Sequence, residues 1–376
     1  MIATTRSAEC TAPALYVSLE LGSTKWVVVS TASLAQRPRR ATVHAGDRSA
    51  LVREITRARH RFGITGPAPT YSCFEAGRDG FWLHRWLESQ GISNIVVDSS
   101  SIRVSRRHRQ AKTDRLDGEQ LVQMLVRHVA GERKVWSVVH VPTAAAEDRR
   151  QLGRELESVK GDRTRIRNRI ESLLVTQGIV GVRPDDLVTK LTTLRAGDGR
   201  PLGAWLTARL ERESHQLAVV EERLATLGAV RQQQILTGDD AIGQRARRLL
   251  EMRGIGEVGA DLLSAELFGS RTFQNGRQLG ALVGLVPTPF RSDQQVREQG
   301  HSRAGRSELR GLMMQLAWGW LRWQPQSALA RWYQERFARG PRQRRIGIVA
   351  VARKLLIALW HYVEHGVVPE GALLKR

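Results

Sequence analysis

The sequence predicts an α/β domain at the N-terminus, a helical middle with coiled-coil patterning, and a mostly α-helical C-terminal domain. Three observations lead there. Strand-like and helix-like segments alternate up to residue 142, two stretches between 143 and 240 repeat apolar residues at heptad spacing, and beyond 241 apolar helices are punctuated by glycine turns. The expected domains are therefore 14–142, 143–240 and 241–366.

In the first domain Leu15, Val17, Leu19 and Leu21 alternate with Tyr16, Ser18 and Glu20, the period of a half-buried strand. Gly22-Ser23 makes the turn into a second strand at Trp26-Val27-Val28-Val29. A third strand is expected at 41–45, a helix at 48–62, a strand from Thr70 to Glu75 and a helix from Gly80 to Gln90. A strand from Asn94 to Asp98, a helix from Arg115 to Ala130 and a last strand from Val135 to Val141 complete the pattern. Three early strands followed by alternation suggest a mixed sheet.

The middle begins with a helix over 143–178, with Leu152, Leu156, Val159, Ile166, Ile170 and Leu173 at heptad positions and Arg163 on the seam. A second helix carries Leu206, Leu210, Leu217, Val220, Leu224 and Leu227, with Glu213 on its seam. Arg163 and Glu213 are expected to meet, either in an antiparallel hairpin or across a dimer, where such a pair sets register more than stability. The segment around 179–200, with its Gly, Pro and Asp, reads as a loop. Further on, Leu249 to Ala260 reads as helix, glycine hairpin, helix, in which Gly254 and Gly256 allow backbone N–H groups to approach a phosphate. Residues 279–289 lead into a polar loop over 290–305, followed by apolar helices within 306–323 and 345–365.

Charge points to the partner. The chain of 376 residues has 59 Lys and Arg against 37 Asp and Glu, a formal net charge of +22, and a pI near 11.3. The excess runs from end to end, and with 41% hydrophobic residues the chain can bury real cores, so this is the footprint of a folded nucleic-acid binder. Two cysteines, Cys10 and Cys73, make neither a zinc site nor a disulfide framework, and fit a reducing cytoplasm. No run approaches the roughly 18 to 20 apolar residues of a membrane span, and Arg6 is followed by no apolar core, so neither a membrane nor a secretory route is expected. A cytoplasmic, nucleoid-associated protein follows.

Acidic residues at selected places in so basic a chain need a reason. Asp114 and Asp117 are three apart and share a helical face, with Thr113 as a good N-cap before them. Arg103, Arg106, Arg107, Arg109 and Lys112 stand just upstream and can hold a phosphodiester. Glu20 lies near the end of the first strand and Glu75 ends the fourth, where sites form in open α/β sheets. Hard oxygen ligands beside a phosphate suit Mg²⁺, the usual apparatus of phosphoryl transfer on nucleic acid.

These residues carry a resemblance. Ala111-Lys112-Thr113-Asp114-Arg115-Leu116-Asp117, Phe74-Glu75-Ala76-Gly77, Gly254-Ile255-Gly256, Gly284-Leu285-Val286-Pro287 and then Ser292 follow one another in the order and spacing of a known family. Over roughly residues 14–325 the chain resembles the insertion-sequence transposases of the one-ten family, DEDD-type recombinases with a catalytic serine. The resemblance implies an RNase-H-like (RuvC-like) N-terminal domain, a coiled-coil middle and a C-terminal transposase domain with a helix-hairpin-helix element. It implies Glu20, Glu75, Asp114 and Asp117 as Mg²⁺ ligands, Ser292 as nucleophile, and Arg253, Gly254 and Gly256 with the upstream basic run as nucleic-acid contacts. Glu20 stands where the family has Asp, and Asp293 follows Ser292 where the family has Gly.

The implied reaction is Mg²⁺-dependent, serine-mediated strand exchange on donor and target DNA. The family further implies an element-encoded guide RNA, and the heptads a dimer or tetramer. No His lies beside Ser292; His301 is the nearest candidate base, and His108 is another. Two alternatives remain at this stage: a Holliday-junction-type metal-dependent nuclease in which Ser292 is idle, and a catalytically inactive nucleic-acid-binding protein.

Overall fold

The structure is a computed structural model that describes residues 13–375 apart from 78–79, 103–113, 133–134, 270–271, 293–294 and 302–304. For residues 100, 114–116, 288–292 and 295–301 the backbone alone is described. The chain divides into two compact units, residues 1–141 and 142–376.

The first unit is built on a five-stranded mixed sheet. Its elements are β1 (Leu15–Leu21), β2 (Lys25–Thr31), β3 (Arg39–His44), α1 (Arg48–Arg61), β4 (Thr70–Glu75), α2 (Trp82–Ser89), β5 (Ser93–Val97) and α3 (Asp114–Val129). The strand order is β3-β2-β1-β4-β5. The β1–β2 and β2–β3 pairs are antiparallel, while β1–β4 and β4–β5 are parallel. Gly22 begins the first turn because a Cβ there would lie 2.5 Å from the Lys25 carbonyl oxygen. Asp47 caps α1 by accepting the Ala50 N–H at 2.8 Å, and Arg59, His60 and Arg61 fill the last turn, where positive charge suits the helix dipole.

Alternation decides the two faces. Leu15, Val17, Leu19, Trp26, Val28 and Phe74 pack with Leu51, Ile55 and Ala58 of α1 and Leu83 and Leu87 of α2. On the other face Cys73, Val97, Val27 and Val29 meet Leu121, Val122, Met124 and Leu125 of α3. Covering both faces explains why the central strands are apolar at nearly every position. The strand expected at Val135 to Val141 does not form. That stretch makes one antiparallel bridge, Val97 with Val138, because Trp136 and Val135 turn into the core under α3 instead of extending the ladder.

The second unit begins with α4 (Ala144–Val175), whose 32 residues span about 48 Å. Thr143 caps it on the Ala146 N–H. A tip follows with a 3₁₀ turn at Pro184–Asp186 and α5 (Leu187–Lys190), and then α6 (Ala204–Thr237) returns antiparallel to α4. Ile166, Ile170, Leu174, Leu210 and Leu217 form the buried seam of this helical hairpin. The segment expected as a loop is a folded cap, since Ile179, Leu187 and Leu191 close the end of that seam. Glu213 pairs with Arg169 at 2.8 Å, not with Arg163. Arg167 bridges Asp185 and Glu221, and Arg223 pairs with Glu155. These pairs flank the seam inside one chain, so none is needed between copies.

The remainder of the unit is α7 (Ala241–Glu251), α8 (Glu257–Leu263) running into a π-helical segment at Ser264–Phe268, α9 (Gly276–Val283), β6 (Pro287–Ser292), β7 (Gln295–His301), α10 (Ser307–Trp323), α11 (Ala328–Phe337) and α12 (Pro341–His365). Two findings differ from expectation. The polar loop over 290–305 contains an antiparallel ribbon of β6 on β7, held by backbone pairing that polar side chains do not announce. Helix α12 is long and apolar enough to cross a membrane by length and composition, although no such run was expected. Over half of its most apolar stretch is buried, and Ile348, Val351, Leu355, Leu356 and Leu359 lie in the core with Leu249, Leu263, Phe268, Met313 and Trp320.

The seam of the α4–α6 hairpin makes a stability prediction. Ile170 is 0% exposed among leucines of the tip and of α6. Ile170→Ala should cost about 2–5 kcal/mol by leaving a cavity, whereas Val219→Ala on its exposed face should cost less than about 0.5 kcal/mol. Denaturant unfolding of the whole chain, with the transition of the hairpin followed by amide exchange, measures both.

Candidate active site

Glu20 and Glu75 are brought together by the parallel pairing of β1 and β4. Leu19 lies opposite Phe74, so the next residues along, Glu20 and Glu75, are neighbours at the same end of two central strands. Both point to the α3 face. Ser18, two residues before Glu20, donates to the Gly118 carbonyl of α3 at 2.8 Å, and Cys73, two before Glu75, packs beneath Leu121. Glu20 is half-buried, with Oε2 out of contact with solvent, and Glu75 is exposed at the strand end.

Asp117 precedes Gly118 in the first turns of α3 and is half-buried. Gly118 is what lets this helix lie so close: a Cβ there would come within 2.9 Å of Val29 Cγ2. The helix start carrying Asp114 and Asp117 is thereby pressed onto the sheet face that carries Glu20. The Asp114 backbone begins α3, and its side chain lies outside the described residues. Among the described residues no three carboxylate, His or Cys side chains converge closely enough to hold a metal ion. The donor chemistry, oxygen only, suits Mg²⁺ or Ca²⁺ and not a thiolate metal. Cys73 adds nothing to it, because burial first and the charge of Glu75 second push its thiol well above the usual range and keep it neutral.

The basic run of Arg103, Arg106, Arg107, Arg109 and Lys112, together with Thr113 and His108, lies outside the described residues. Ser292 ends β6 and pairs with Gln295 at the tip of the ribbon; its side chain and Asp293 lie outside the described residues. His301 pairs with Pro287 at the opposite end. Six residues of strand, about 20 Å, separate the backbones of His301 and Gln295, so His301 is no neighbour of Ser292 along the ribbon.

The glycine turn between α7 and α8 is closely built. Gly254 has φ 92° and sits against Trp323, whose Cβ would be 3.2 Å from an added Cβ. The Arg253 N–H donates to the Leu373 carbonyl at 3.1 Å. The side-chain amide of Gln324 donates at 2.8 Å to the carbonyls of both Arg253 and Leu373, and its Oε1 accepts the Leu373 N–H. Lys375 Nζ donates to the Ile255 carbonyl at 2.8 Å. The Arg253 and Ile255 carbonyls of the turn are thus taken up by Gln324 and Lys375, while Arg253 and Gly256 remain exposed. Sequence reasoning missed Gln324 and Lys375, because contacts 71 and 120 residues away leave no local signal.

Comparison with known proteins places this arrangement. Residues 246–333 match the model of the IS116/IS110/IS902 transposase family. A putative transposase of Sinorhizobium fredii, y4rJ, is 40% identical over 96% of this chain and 95% of its own length. The chain belongs to the IS116/IS110/IS902 family of transposases. A probable family 20 transposase of Pseudomonas aeruginosa is 31% identical over 60% of the chain. The transposase for insertion sequence element IS1328 of Yersinia enterocolitica is 26% identical over 61% of it. The family match covers the glycine turn, the ribbon and α10 of this transposase, and the y4rJ match extends through the sheet that carries the acids.

The contact of α3 with the sheet can be tested. Gly118→Ala should push α3 away from Val29 and Ser18, destabilising the transposase by about 1–3 kcal/mol. Transposition should fall more than DNA binding, as read by transposition and mobility-shift assays on the same variant.

Proposed function

We propose that the protein moves an insertion sequence by Mg²⁺-dependent, serine-mediated strand exchange. The observation that carries the reading is the adjacency of Glu20 and Glu75, one residue beyond the last β1–β4 pair, on the face against which the start of α3 is pressed. The β3-β2-β1-β4-β5 order supports an RNase-H-like, RuvC-like first unit. Glu20, Glu75, Asp114 and Asp117 would hold Mg²⁺, which supplies charge stabilisation at the phosphate and at the leaving oxygen. Glu20 replaces the family's Asp with one more methylene, and its place one residue before the strand end gives that longer arm room to turn toward Glu75.

The protein's own groups divide the remaining work. Ser292 Oγ attacks the phosphorus of a DNA phosphodiester; a P–Oγ bond forms, the P–O bond to the leaving strand breaks, and the released oxygen takes a proton. A free 3′-hydroxyl of another strand then attacks the same phosphorus, and Ser292 departs as its alcohol. The phosphoester count is unchanged, so no nucleotide cofactor is consumed. The ribbon supports this role, since the Ser292 backbone ends β6 at the last pair of the ribbon, opposite Gln295. Arg103, Arg106, Arg107, Arg109 and Lys112 would grip backbone phosphates ahead of the acids, and the turn of Arg253, Gly254 and Gly256 would do so in the second unit. An element-encoded guide RNA would read the DNA sequence by base pairing while the protein reads backbone and shape. Copies would associate through the exposed faces of the α4–α6 hairpin, and the protein would work at the chromosome in the cytoplasm.

Ser292→Ala should abolish a protease-sensitive covalent DNA adduct while leaving DNA affinity within about twofold, since the hydroxyl contributes only in the transition state. Asp117→Asn should abolish the adduct too, by removing a charged ligand. Denaturing electrophoresis of labelled DNA with Mg²⁺ reads both. Clean Mg²⁺-dependent cutting with no adduct in the parent would favour a Holliday-junction-type nuclease, and no Mg²⁺-dependent chemistry would favour a nucleic-acid-binding protein without catalysis.

A further inference from the structure

Both legs of the Ser292 ribbon are rooted on the end of α9. On the incoming leg Gly284 turns the chain at φ 74°, and the Leu285 N–H donates to the Gly280 carbonyl at 2.8 Å. On the outgoing leg Gly305, at φ 120°, sits so close that a Cβ would lie 2.7 Å from the Leu282 carbonyl oxygen. The next residue, Arg306, donates its N–H to that carbonyl at 3.1 Å. These backbone bonds fix where the ribbon starts. A second tie acts on its outgoing leg: the Arg306 guanidinium hydrogen-bonds Glu266.

Glu266 is an unusual anchor. Its side chain is 5% exposed, in the π-helical segment after α8, and its carboxylate also faces Arg150 of α4 at 3.4 Å, a guanidinium only 4% exposed. The π turn, closed by the Gly269 N–H on the Ser264 carbonyl, leaves the Ala265 carbonyl to accept from Arg150 Nε at 3.2 Å. Such insertions in helices occur disproportionately at functional sites. One buried carboxylate thus holds two guanidinia, one on the α4–α6 hairpin and one at the foot of the ribbon. Neutralising Arg150 needs only one of these contacts. The second arginine, Arg306, is half-buried and also lies 3.7 Å from Glu308, and buried ionic groups of this kind can set geometry more than stability.

We propose that Glu266 is a positioning residue for the ribbon, orienting its tip through Arg306 and referencing it to the α4–α6 hairpin through Arg150. This rests on the reading of Ser292 as nucleophile, because a tip that carries an attacking oxygen must be placed to within an ångström. Glu266 and Arg306 touch no DNA in this role and act only through the placement of Ser292.

Arg306→Gln tests it while leaving the buried Arg150–Glu266 pair in place, so the fold should survive with a melting temperature within about 4 °C of the parent. At saturating DNA the rate of Ser292-dependent adduct formation should fall about tenfold to a hundredfold, with the half-saturating DNA concentration changed by less than about twofold. Arg306→Lys, which keeps one charged hydrogen bond but not the fork, should recover part of the rate. Amide exchange over residues 286–301 should quicken in Arg306→Gln, while α10 and α12 stay protected. Unchanged exchange in the ribbon, or an adduct rate within about twofold of the parent, would overturn the proposal. A parent that forms no Ser292-dependent adduct, with ribbon exchange still responding to Arg306→Gln, would sink the serine reading and leave the tie standing.

Discussion

The parallel register of β1 on β4 is the constraint on which the first unit turns. Leu19 opposite Phe74 commits Glu20 and Glu75 to neighbouring positions at one end of the sheet. Carboxylates on adjacent strands repel each other, and less where water reaches them, as it does at the exposed Glu75. The fold thus sets two acids side by side at one sheet end in a chain of net charge +22. A shift of β1 by one residue would turn Glu20 to the other face, among Leu51, Leu83 and Phe74, so the apolar pattern of the strand protects the acid pair.

Close approach of α3 is the second half of that arrangement. Gly118 is buried against Val29, and Ser18, itself buried, has its hydroxyl satisfied by the Gly118 carbonyl. A buried hydroxyl needs such a partner, and here the partner is the residue next to Asp117. Polar satisfaction and placement of the acid are therefore one contact.

The second unit places its elements by buried charge. Asp261 accepts from Arg149 at 3.0 Å, and burial raises its carboxyl above the usual range while Arg149 and Arg231 pull it down. With Arg150 and Glu266 this makes two successive arginines of α4 locked onto the α8 and π-helical stretch. The root of the helical hairpin is consequently rigid against the domain that carries the ribbon and the glycine turn. Gln324, 1% exposed, does the corresponding job for the C-terminal residues, holding Leu373 and Arg253 with a single amide.

The sequence by itself determined the elements that hydrophobic period governs. The strand from Thr70 to Glu75 appears with those bounds, and α1, α3, α4 and α10 lie within a few residues of expectation. Glu20, Glu75, Asp114 and Asp117 are singled out by strand ends, one helical face and the family motif; of these, the register of β1 on β4 sets Glu20 beside Glu75. Tertiary structure alone decided the rest. Val135 to Val141 has strand composition, yet the core beneath α3 claimed its large side chains. The β6–β7 ribbon lacks a regular apolar alternation and rests on backbone pairing, which period does not encode. Arg169 and not Arg163 met Glu213, because the rotation and stagger of two packed helices, not the heptad count, select the partner. The tie from Arg150 through Glu266 to Arg306 joins residues more than a hundred positions apart, and only packing in a medium of low dielectric makes so distant a contact decisive.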